Sequence, residues 1–424
     1  MSSWLDILGG FMRLKDTVHR PRYERLLAEY RGSQDIKVIT GVRRCGKSTL
    51  LRLLLEQVSE ELGAPENIFY RRMDGFGVPL DADAAWLESE ITSALDAADP
   101  SKPFYVFIDE IQDVRGWEKV VRRLHTHPNV DTYITGSNAH VLSSDLSTLL
   151  GGRYVEIPVH PLSFSEYVEF HAAAGAESLG MDALFAEYLR YGGMPGQFGM
   201  VQRTEEQLTR FLESIRDTII LNDVAMHSKV SDMDLLSKLV RYVFATSGCL
   251  YSTRSVVNAL ASSGRKTTIE TVDNYLAALK SAFILGECEQ AGIAGKQVLR
   301  PQRKFYPVDT GLRNLATGFA PKDFGAQIEC VVYNELIRRG YRVTVGSLLK
   351  GEIDFIAEKR GDRMYIQVTE TLVAPETFDR ELAPFALVRD SFPKVVLTAD
   401  RVRLGTTEQG VRIENLIDWL LSTW

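Results

Sequence analysis

A glycine-rich segment near the start of the chain carries the most specific chemical pattern in the sequence. Residues 41–48 read GVRRCGKS, which fits G-x-x-x-x-G-K-[ST] at every fixed position. Glycines let backbone N–H groups turn inward around phosphates, and the N-terminus of a following helix adds partial positive charge. Lys47 is expected to reach the β- and γ-phosphates of ATP, and the Ser48 hydroxyl group is expected to bind Mg²⁺. The residues predicted to bind the nucleotide are Gly41, Arg43, Arg44, Cys45, Gly46, Lys47, Ser48 and Thr49.

Three apolar segments are expected to form the sheet that positions this loop. Ile36–Thr40, Phe104–Ile108 and Thr132–Thr135 are apolar stretches that end in small or polar residues. Such stretches are typical of strands buried on both faces of a parallel sheet. Helical patterns alternate with them at Lys47–Leu62, Ala84–Ala97 and Trp117–Leu124. The alternation predicts an α/β domain with helices on both faces of the sheet. The alternative is that residues 41–48 form a glycine-rich turn by chance, and such a turn would not need these flanking strands and helices.

Two acidic residues, Asp109 and Glu110, follow the second of these predicted strands. Ligands of open α/β sheets gather at the carboxyl ends of the strands, so both side chains are expected at the phosphate site. Asp109 is predicted to hold Mg²⁺ through water, and Glu110 is predicted to polarise the water that attacks the γ-phosphate. The alternative is an acidic N-cap of the kind that follows many strands.

Two further polar segments follow later strands. Ser137 and Asn138 come after Thr132–Thr135 and are predicted to contact the γ-phosphate or the attacking water, with a plain turn as the alternative. Arg153 follows two glycines, and an arginine at such an edge can enter the site of a neighbouring subunit. The alternative for Arg153 is a surface ion pair. The predicted catalytic residues are Lys47, Glu110, Ser137, Asn138 and Arg153.

The composition is that of an ordinary globular protein. The length of 424 residues predicts two to four domains, and 45% of the residues are hydrophobic and 25% charged. A net charge of −7 argues against a nucleic-acid coat over the whole surface but leaves a local basic patch open. The sequence contains neither a CxxC pair nor an apolar run of membrane-spanning length, so we expect a cytoplasmic protein without a membrane span.

The remaining sequence divides into three further segments. Residues 161–230 lack strand patterns and are predicted to form a small helical domain. Within residues 231–312, Ser252–Leu260 and Thr267–Ala282 are typical of a helix-turn-helix, followed by a β-wing at Phe283–Leu285 and Val298–Tyr306. Residues 313–424 return to mixed α and β. Their predicted elements are a helix at Ala326–Arg339 and strands at Tyr341–Val345, Ile353–Ala357 and Met364–Val368.

Basic residues cluster around the predicted helix-turn-helix and its wing, where they can neutralise DNA phosphates without reading sequence. Acidic Glu270 and Asp273 on the second helix argue against tight sequence-specific binding in a groove. The alternative is a winged helix that contacts protein. The predicted DNA-binding residues are Arg254, Arg265, Lys266, Lys296, Arg300, Arg303 and Lys304.

These motifs together resemble AAA+ ATPases, and one bacterial and archaeal branch in particular. The resemblance rests on GVRRCGKST at 41–49, FIDEIQ at 107–112, ITGSN at 134–138, GGR at 151–153, PLSFSEY at 161–167 and YGGMP at 191–195. It covers nearly the whole chain, and its ATPase motifs are more specific than its C-terminal ones. It implies an ATPase core at residues 1–160, a helical lid at 161–230, a winged helix at 231–312 and a PD-(D/E)XK nuclease-like domain at 313–424. AAA+ proteins usually act as rings, which implies a homo-oligomer with Arg153 acting on a neighbour's ATP, and Arg190 is a candidate second sensor.

The C-terminal segment departs from the pattern of an active nuclease. Asp354 stands where such folds place a metal-binding aspartate, but Gln367 replaces the expected glutamate and Thr369 the expected lysine. An amide is a poor ligand for a hard cation beside a carboxylate. Glu329 and Glu335 on the preceding helix can still add one carboxylate. We therefore expect a fold that holds DNA or serves a structural role without cutting DNA.

Two classes of function remain open at this point, besides the less favoured ATPase–nuclease. The first is an ATPase that hydrolyses ATP with Mg²⁺ and binds or remodels DNA. The second is a nucleotide-dependent switch that binds another protein in signalling or defence. Salt-sensitive DNA binding and DNA-stimulated hydrolysis would distinguish the first class from the second.

Overall fold

The computed structural model describes residues 17–137, 150–175, 179–226, 230–291, 302–318, 323–347 and 351–422. The chain divides into two compact units. The first unit runs to Val159 and includes Ser281–Phe283, and the second comprises His160–Lys280 and the chain from Ile284 onward. Among the described residues, no helix combines the length and the apolar character needed to cross a lipid bilayer.

A parallel sheet forms the centre of the first unit. Its strands are β1 (Ile36–Thr40), β2 (Ile68–Arg72), β3 (Phe104–Asp109), β4 (Val130–Gly136) and β5 (Tyr154–Pro158). The five strands lie in the order β2-β3-β4-β1-β5, and every neighbouring pair is parallel. Every residue of β1 and of β3 is buried, as in strands covered on both faces. The predicted α/β fold with a parallel sheet is therefore confirmed.

Helices cover this sheet and begin where local sequence favours them. They are α1 (Pro21–Tyr30), α2 (Lys47–Leu62), α3 (Ala84–Asp96) and α4 (Trp117–Leu124). The side chain of Asp83 caps α3, because its Oδ1 accepts a hydrogen bond from the backbone N–H of Trp86 at 3.0 Å. Buried Leu87 of α3 and Trp117 of α4 pack in one core with Val106 of β3. Burial of these apolar faces holds the helices against the sheet.

The second unit begins with helices and continues into a large mixed sheet. Its helices are α5 (Phe164–Ala173), α6 (Met181–Tyr191), α7 (Glu205–Thr218), α8 (Met233–Ala245), α9 (Thr253–Ser262), α10 (Ile269–Ser281), α11 (Thr310–Thr317), α12 (Phe324–Arg338), α13 (Pro375–Leu382) and α14 (Leu416–Leu421). A π-helical segment, Ile219–Met226, directly continues α7. The described part of residues 161–230 is helical, as the absence of strand patterns predicts.

Nine strands among the described residues of the second unit form one sheet. They are β6 (Leu250–Tyr251), β7 (Leu285–Ala291), β8 (Arg303–Pro307), β9 (Arg342–Ser347), β10 (Glu352–Lys359), β11 (Asp362–Thr369), β12 (Lys394–Thr398), β13 (Gly405–Thr406) and β14 (Val411–Asn415). Their order is β13-β14-β12-β11-β10-β9-β7-β8-β6. The parallel pairing of β7 with β9, at Gln290 opposite Val345, continues the sheet across residue 312. The division at that residue and the winged-helix interpretation remain predictions.

A buried carboxylate, Asp309, organises the turn after α6. It caps α11, since its Oδ1 accepts from the N–H of Leu312 at 3.0 Å, and its Oδ2 accepts from the N–H of Gly193 at 2.7 Å. A Cβ atom on Gly192 would lie 2.1 Å from Oδ1, and one on Gly193 would lie 2.4 Å from the carbonyl oxygen of Leu162. The turn therefore needs both glycines. Burial raises the pKa of Asp309 to about 6. The backbone N–H groups that bond its carboxylate favour the charged form and lower the pKa, but burial has the larger effect.

Replacing Asp309 by alanine tests this role. The Asp309→Ala variant leaves at least two buried N–H donors without an acceptor, and each such loss costs about 1–3 kcal/mol. We expect the free energy of unfolding of the second unit to fall by roughly 2–4 kcal/mol, measured by urea denaturation. The matched control is Asp182→Ala, which removes an exposed carboxylate paired with Arg401 and is expected to leave the midpoint unchanged. Equal stability of the Asp309→Ala variant and the parent protein would contradict this account.

Candidate functional site

The loop between β1 and α2 has the backbone conformation that its glycines allow. Gly41 has φ 139° and Gly46 has φ 105°, which L side chains rarely adopt, and Arg44 also has a positive φ of 65°. A Cβ atom on Gly41 would lie 2.1 Å from the carbonyl oxygen of Val159. These positions turn the loop around the N-terminus of α2, where the unpaired N–H groups and the helix dipole favour an anion.

Lys47 is the first residue of α2 and is buried. Its Nζ donates to the carbonyl oxygen of Gly41 at 2.9 Å and to that of Val42 at 3.2 Å. The ammonium group is thus held inside the curve of the loop. An anion in this curve would offer Lys47 a charge-assisted hydrogen bond, which is stronger than a bond to a neutral carbonyl group.

Cys45 and Arg20 hold the outer side of the loop. The Cys45 side chain is buried, its Sγ donates to the carbonyl oxygen of Val159 at 3.2 Å, and burial raises the pKa of its thiol. The guanidinium of Arg20 donates to the carbonyl oxygen of Cys45 at 3.1 Å. Sequence reasoning missed Arg20, whose nearest signal is its position before Pro21, the first residue of α1. Cys45 can therefore serve the site only through its backbone.

Asp109 ends β3 beside the start of α2. Its Oδ1 accepts from the hydroxyl of Ser48 at 3.0 Å and from that of Thr135 at 2.6 Å. Its Oδ2 is buried and has no hydrogen-bond partner among the described residues. Burial raises the pKa of Asp109, because a carboxylate loses hydration there. A buried carboxylate oxygen without a partner, next to a hydroxyl group, fits a divalent cation.

Glu110 follows Asp109 in a left-handed conformation with φ 54°. Its backbone N–H donates to Oγ1 of Thr135 at 2.9 Å. Its carboxylate accepts from Nε2 of Gln112 at 2.5 Å and from Oγ of Ser137 at 3.1 Å. Ser137 therefore lies at the acidic pair, and its contact with the γ-phosphate or the attacking water stays a prediction. Gln112 was missed as a site residue. Thr135 begins the polar segment Thr135–Asn138 that the sequence indicates, and its signal is a hydroxyl group at the end of a buried strand.

The other predicted nucleotide-site residues lie around this centre. Arg44 and Thr49 are exposed, Arg43 is half-buried, and Arg153 is exposed before β5. The carbonyl oxygen of Arg153 accepts from the N–H of Ile36 at 3.1 Å, which fixes the backbone of Arg153 beside β1. Asn138 lies outside the described residues.

Comparisons with known proteins agree with this geometry. Residues 33–168 match a family described as an AAA domain, and residues 182–323 match a domain of unknown function, DUF8612. An uncharacterised protein of Haemophilus influenzae is 36% identical over 96% of this chain and 99% of its own length. The chain therefore belongs to the same family as this Haemophilus influenzae protein. An uncharacterised protein of Methanocaldococcus jannaschii is 27% identical over 72% of this chain and 67% of its own length.

One solved structure is similar in fold to a large part of the chain. A Walker-type ATPase of Pyrococcus abyssi superposes with a TM-score of 0.52 and 16% identity, over 72% of this chain and 97% of that one. At this identity the likeness shows the fold alone. Together with the AAA-domain match, it supports a P-loop ATPase domain of the AAA class at residues 33–168. The comparisons do not assign a nuclease fold to its C-terminal part.

The positions that the sequence analysis compares with those of a nuclease lie in the second unit. Asp354 of β10 accepts from the N–H of Val368 at 2.9 Å, and its own N–H donates to Oε1 of Gln367 at 3.1 Å. Nε2 of Gln367 donates to Glu381 at 3.0 Å. Burial and the charge of Glu329 raise the pKa of Asp354 well above its usual range. The amide of Gln367 thus bonds the backbone of Asp354 and the carboxylate of Glu381.

Lys304 corrects one expectation about this cluster. The sequence places Thr369 where an active nuclease has a lysine, and it predicts that Lys304 contacts DNA. In the structure Lys304 is buried, and its Nζ lies 2.5 Å from Oε1 of Glu352, 3.2 Å from Oε1 of Glu329 and 3.9 Å from Oδ1 of Asp354. Burial opposes the charge of Lys304, but these carboxylates outweigh it and raise its pKa. An ammonium group held there is not available to a DNA backbone.

The other predicted DNA contacts fall into three groups. Arg303 pairs with Asp273 and with Glu287, both at 2.8 Å, and Arg265 pairs with Asp232 and Asp234. Arg254 and Lys266 are exposed. Lys296 and Arg300 lie outside the described residues. Of the described set, Arg254 and Lys266 alone combine exposure with the absence of any ion pair to another described residue.

Replacing the Thr135 hydroxyl tests how Asp109 and Glu110 are positioned. Thr135→Val keeps the shape of the side chain but removes the bonds to Asp109 and to the Glu110 N–H. We expect kcat for ATP hydrolysis to fall by roughly ten- to hundredfold, with the KM for ATP changed by less than about threefold. The matched control is Thr132→Val on the same strand, which is expected to keep the parent rate. An unchanged kcat in Thr135→Val would show that this hydroxyl group does not position the site.

Proposed function

We propose that the AAA domain binds ATP together with Mg²⁺ and hydrolyses it, with Glu110 as the group that activates water. The observation that carries this proposal is the convergence of Ser48, Asp109 and Glu110 at the end of β3, beside Lys47 in the curve of the loop. The buried Oδ2 of Asp109, which lacks a partner among the described residues, is suited to a cation.

Each residue of the site has a distinct part in this reaction. When bound, Mg²⁺ offsets the negative charge on the phosphate oxygens. Lys47 exchanges its bonds to Gly41 and Val42 for bonds to phosphate oxygens, and the loop N–H groups stabilise the same charge. The Glu110 carboxylate accepts a proton from water once it is no longer held by Gln112 and Ser137. Thr135 keeps the Glu110 backbone in place.

Two substitutions separate ATP binding from hydrolysis. Lys47→Ala removes the cation that contacts the phosphates, so we expect tight ATP binding to be lost. Glu110→Gln removes the proton acceptor but no phosphate contact, so we expect ATP affinity within about threefold of the parent and a rate at least roughly a hundredfold lower. Calorimetric titration and a phosphate-release assay give the two quantities. Normal hydrolysis by Glu110→Gln would show that another group activates water.

Arg153 is proposed to act on the ATP of a neighbouring subunit in a homo-oligomer. Its side chain is exposed, and its backbone is bound to β1, the strand that leads into the phosphate loop. An arginine supplied by a second subunit stabilises the charge that develops on the transferred phosphate. The number of subunits does not follow from this arrangement.

Mixing two inactive variants tests action in trans. We expect Arg153→Ala and Lys47→Ala subunits to be inactive separately and to regain part of the hydrolysis rate when mixed. Some mixed interfaces then combine an intact phosphate loop with an intact arginine. The measurement is the phosphate-release rate against mixing ratio, with each variant diluted by buffer as the control. A parent protein that is fully active as a monomer at every concentration would exclude the role in trans.

DNA binding is a second candidate function, favoured by one observation. Arg254 at the start of α9 and Lys266 in the turn before α10 are exposed basic side chains on the predicted helix-turn-helix. Contacts from such residues to phosphates add affinity without sequence preference. Arg265 and Arg303 would first have to leave their aspartate and glutamate partners. The proposed DNA contact is therefore centred on Arg254 and Lys266.

The C-terminal part is proposed to hold DNA or a partner without cutting DNA. Gln367 and Thr369 supply no charge at the two positions that a nuclease uses, and Lys304 already pairs with the carboxylates around Asp354. The alternative, an ATPase–nuclease, would need a divalent cation to displace that ammonium group.

One gel assay tests both statements about DNA. The full chain is incubated with linear duplex and four-way DNA in Mg²⁺ or Mn²⁺. We expect bound DNA that is not cut, and binding that weakens at least about fivefold in Arg254→Ala/Lys266→Ala, because each phosphate contact adds to affinity. The matched control, Arg210→Ala, removes an exposed arginine of α7. Cleavage that is lost in Asp354→Ala but kept in Lys47→Ala would establish an ATPase–nuclease.

A further inference from the structure

A hairpin of the large sheet presents exposed arginine side chains beside its turn. Strands β10 and β11 are joined by two residues, Arg360 and Gly361, because Lys359 is paired with Asp362 across the hairpin. Arg360 is exposed, and so is Arg342 on the neighbouring strand β9. Neither of these arginines forms an ion pair with another described residue. An anion that binds them therefore has no existing ion pair to break.

The backbone of the turn favours a residue other than arginine at position 360. Arg360 has φ 52° and Gly361 has φ 92°, both in the left-handed region. A two-residue hairpin turn with two positive φ angles favours asparagine, aspartate or glycine first and glycine second. Other side chains with a Cβ atom are uncommon there. The turn thus does not explain the arginine, which indicates that the guanidinium group of Arg360 has a role outside the hairpin.

Strand pairing places three charged side chains in one row on one face of the sheet. Glu358 of β10 lies opposite Arg342 of β9 and also opposite Arg363 of β11. Directly opposite residues have their side chains on the same face, and adjacent strands lie about 4.8 Å apart. The backbones of Arg342 and Arg363 are therefore roughly 10 Å apart. Glu358 pairs with Arg363 at 2.5 Å, so the charge of Arg342 is not offset within the row.

An exposed aromatic ring continues this row. Lys394 and Tyr365 are partners in the parallel pairing of β12 with β11. Phe392 and Arg363 each lie two residues before these partners, which extends the same pairing. The guanidinium carbon of Arg363 lies 5.8 Å from the centre of the Phe392 ring, and Phe392 is 37% exposed. An exposed ring beside a planar guanidinium group forms a surface on which a nucleic-acid base can stack.

These side chains border one depression of about 400 Å³. They are called the hairpin surface below and comprise Arg342, Arg360, Arg363 and Phe392. Glu358, Lys359 and Asp362 also border the depression, and Nζ of Lys359 donates to the carbonyl oxygen of Arg339 at 2.6 Å. The border thus holds four basic and two acidic side chains, in a chain whose net charge is −7. A local excess of positive charge in an acidic protein indicates an anionic ligand.

The aromatic ring selects the class of anion. Duplex DNA keeps its bases stacked inside the helix, and an acidic polypeptide offers carboxylates without regularly repeated planar rings. Single-stranded nucleic acid offers phosphates and unpaired bases together. The hairpin surface also lies at the opposite end of β10 from Asp354, since the five residues from Asp354 to Lys359 span roughly 16 Å. It is therefore separate from the positions that the sequence analysis compares with those of a nuclease.

We propose that the hairpin surface binds single-stranded nucleic acid, with Arg342 and Arg360 at the phosphates and a base stacked on Phe392 beside Arg363. The proposal deepens the proposed DNA binding by adding a second site, and it does not depend on ATP binding. Every base has a face that can stack on the ring, so we expect binding without a strong sequence preference.

The test is fluorescence anisotropy of a labelled single-stranded oligothymidylate with the full chain, repeated over a range of salt concentrations. In Arg342→Gln/Arg360→Asn we expect binding at least about fivefold weaker and a slope of log K against log salt that is about 1.4 less steep, because each phosphate contact contributes about 0.7. In Phe392→Ala we expect binding at least about fivefold weaker with an unchanged slope, since stacking releases no counterion. Asparagine suits the turn at position 360, so the urea midpoint of the double variant is expected not to fall.

The matched control is Arg401→Gln/Arg412→Gln, which removes the same charge from two exposed arginines elsewhere in the second unit. It is expected to keep the parent affinity and slope. Parent affinity in either hairpin variant, or an equal loss in the control, would overturn the proposal.

Two further comparisons separate this proposal from the proposed function and from another partner. Loss of oligothymidylate binding only in Arg254→Ala/Lys266→Ala would overturn the hairpin surface and keep the proposed DNA contact. A parent chain that binds no DNA would contradict both. Binding of a labelled polyglutamate peptide that weakens in the hairpin variants, without binding of the oligonucleotide there, would assign the hairpin surface to acidic polypeptides instead.

Discussion

The hydroxyl group of Thr135 joins the two acidic residues on which the nucleotide site depends. It donates to Oδ1 of Asp109 and accepts from the N–H of Glu110, at 2.6 and 2.9 Å. This is possible because β3 and β4 are neighbouring parallel strands, so that their carboxyl ends meet at one edge of the sheet. The next strand is β1, which delivers the phosphate loop to the same edge. Sheet order thus brings three separate sequence motifs to one place.

Bonds from the same edge lead outward to the surface of the AAA domain. The carbonyl oxygen of Asp109 accepts from the N–H of Met73 at the start of the loop of residues 73–83, between β2 and α3, and backbone groups of Arg115 bond the end of this loop. The segment that carries the acidic pair is therefore joined by backbone hydrogen bonds to an exposed loop.

The second unit uses buried carboxyl groups for packing and pairing. Asp309 holds the Gly192-Gly193 turn against α11, and Lys304 of β8 pairs with Glu329, Glu352 and Asp354. Taking one partner away from such a cluster costs more than the cluster adds to stability, because the remaining charge is left buried. These contacts are a physical reason for polar residues in a core that is otherwise apolar.

The sequence predicts the first unit well because its signals are local. Ile36–Thr40, Lys47–Leu62 and Trp117–Leu124 agree with the structure at both ends, and β3 extends the predicted strand by one residue, to Asp109. Strand β2 was missed, since Ile68–Arg72 mixes apolar and basic residues at an edge of the sheet. Beyond the three predicted C-terminal strands, β12, β13 and β14 were also missed.

Contacts between residues that lie far apart in the chain could not be predicted from the sequence. In the sequence, Lys304 belongs to a run of basic residues. In the structure it is buried beside carboxylates, of which that of Asp354 lies 50 positions later in the chain. Arg265 and Arg303 likewise find partners on other elements. Thr135 appears as the end of a strand, and its link to Asp109 requires the order of the strands.

The most direct test of the account is the Mg²⁺ dependence of ATP hydrolysis by the purified full chain. Phosphate release is measured across a Mg²⁺ titration and in excess chelator, for the parent protein and for Asp109→Asn, which keeps the shape of the side chain and removes its charge. We expect phosphate release to require Mg²⁺ in the parent protein, and to need far more Mg²⁺ or to fail in Asp109→Asn. Hydrolysis that persists in the chelator, or an unchanged Mg²⁺ requirement in Asp109→Asn, would contradict it.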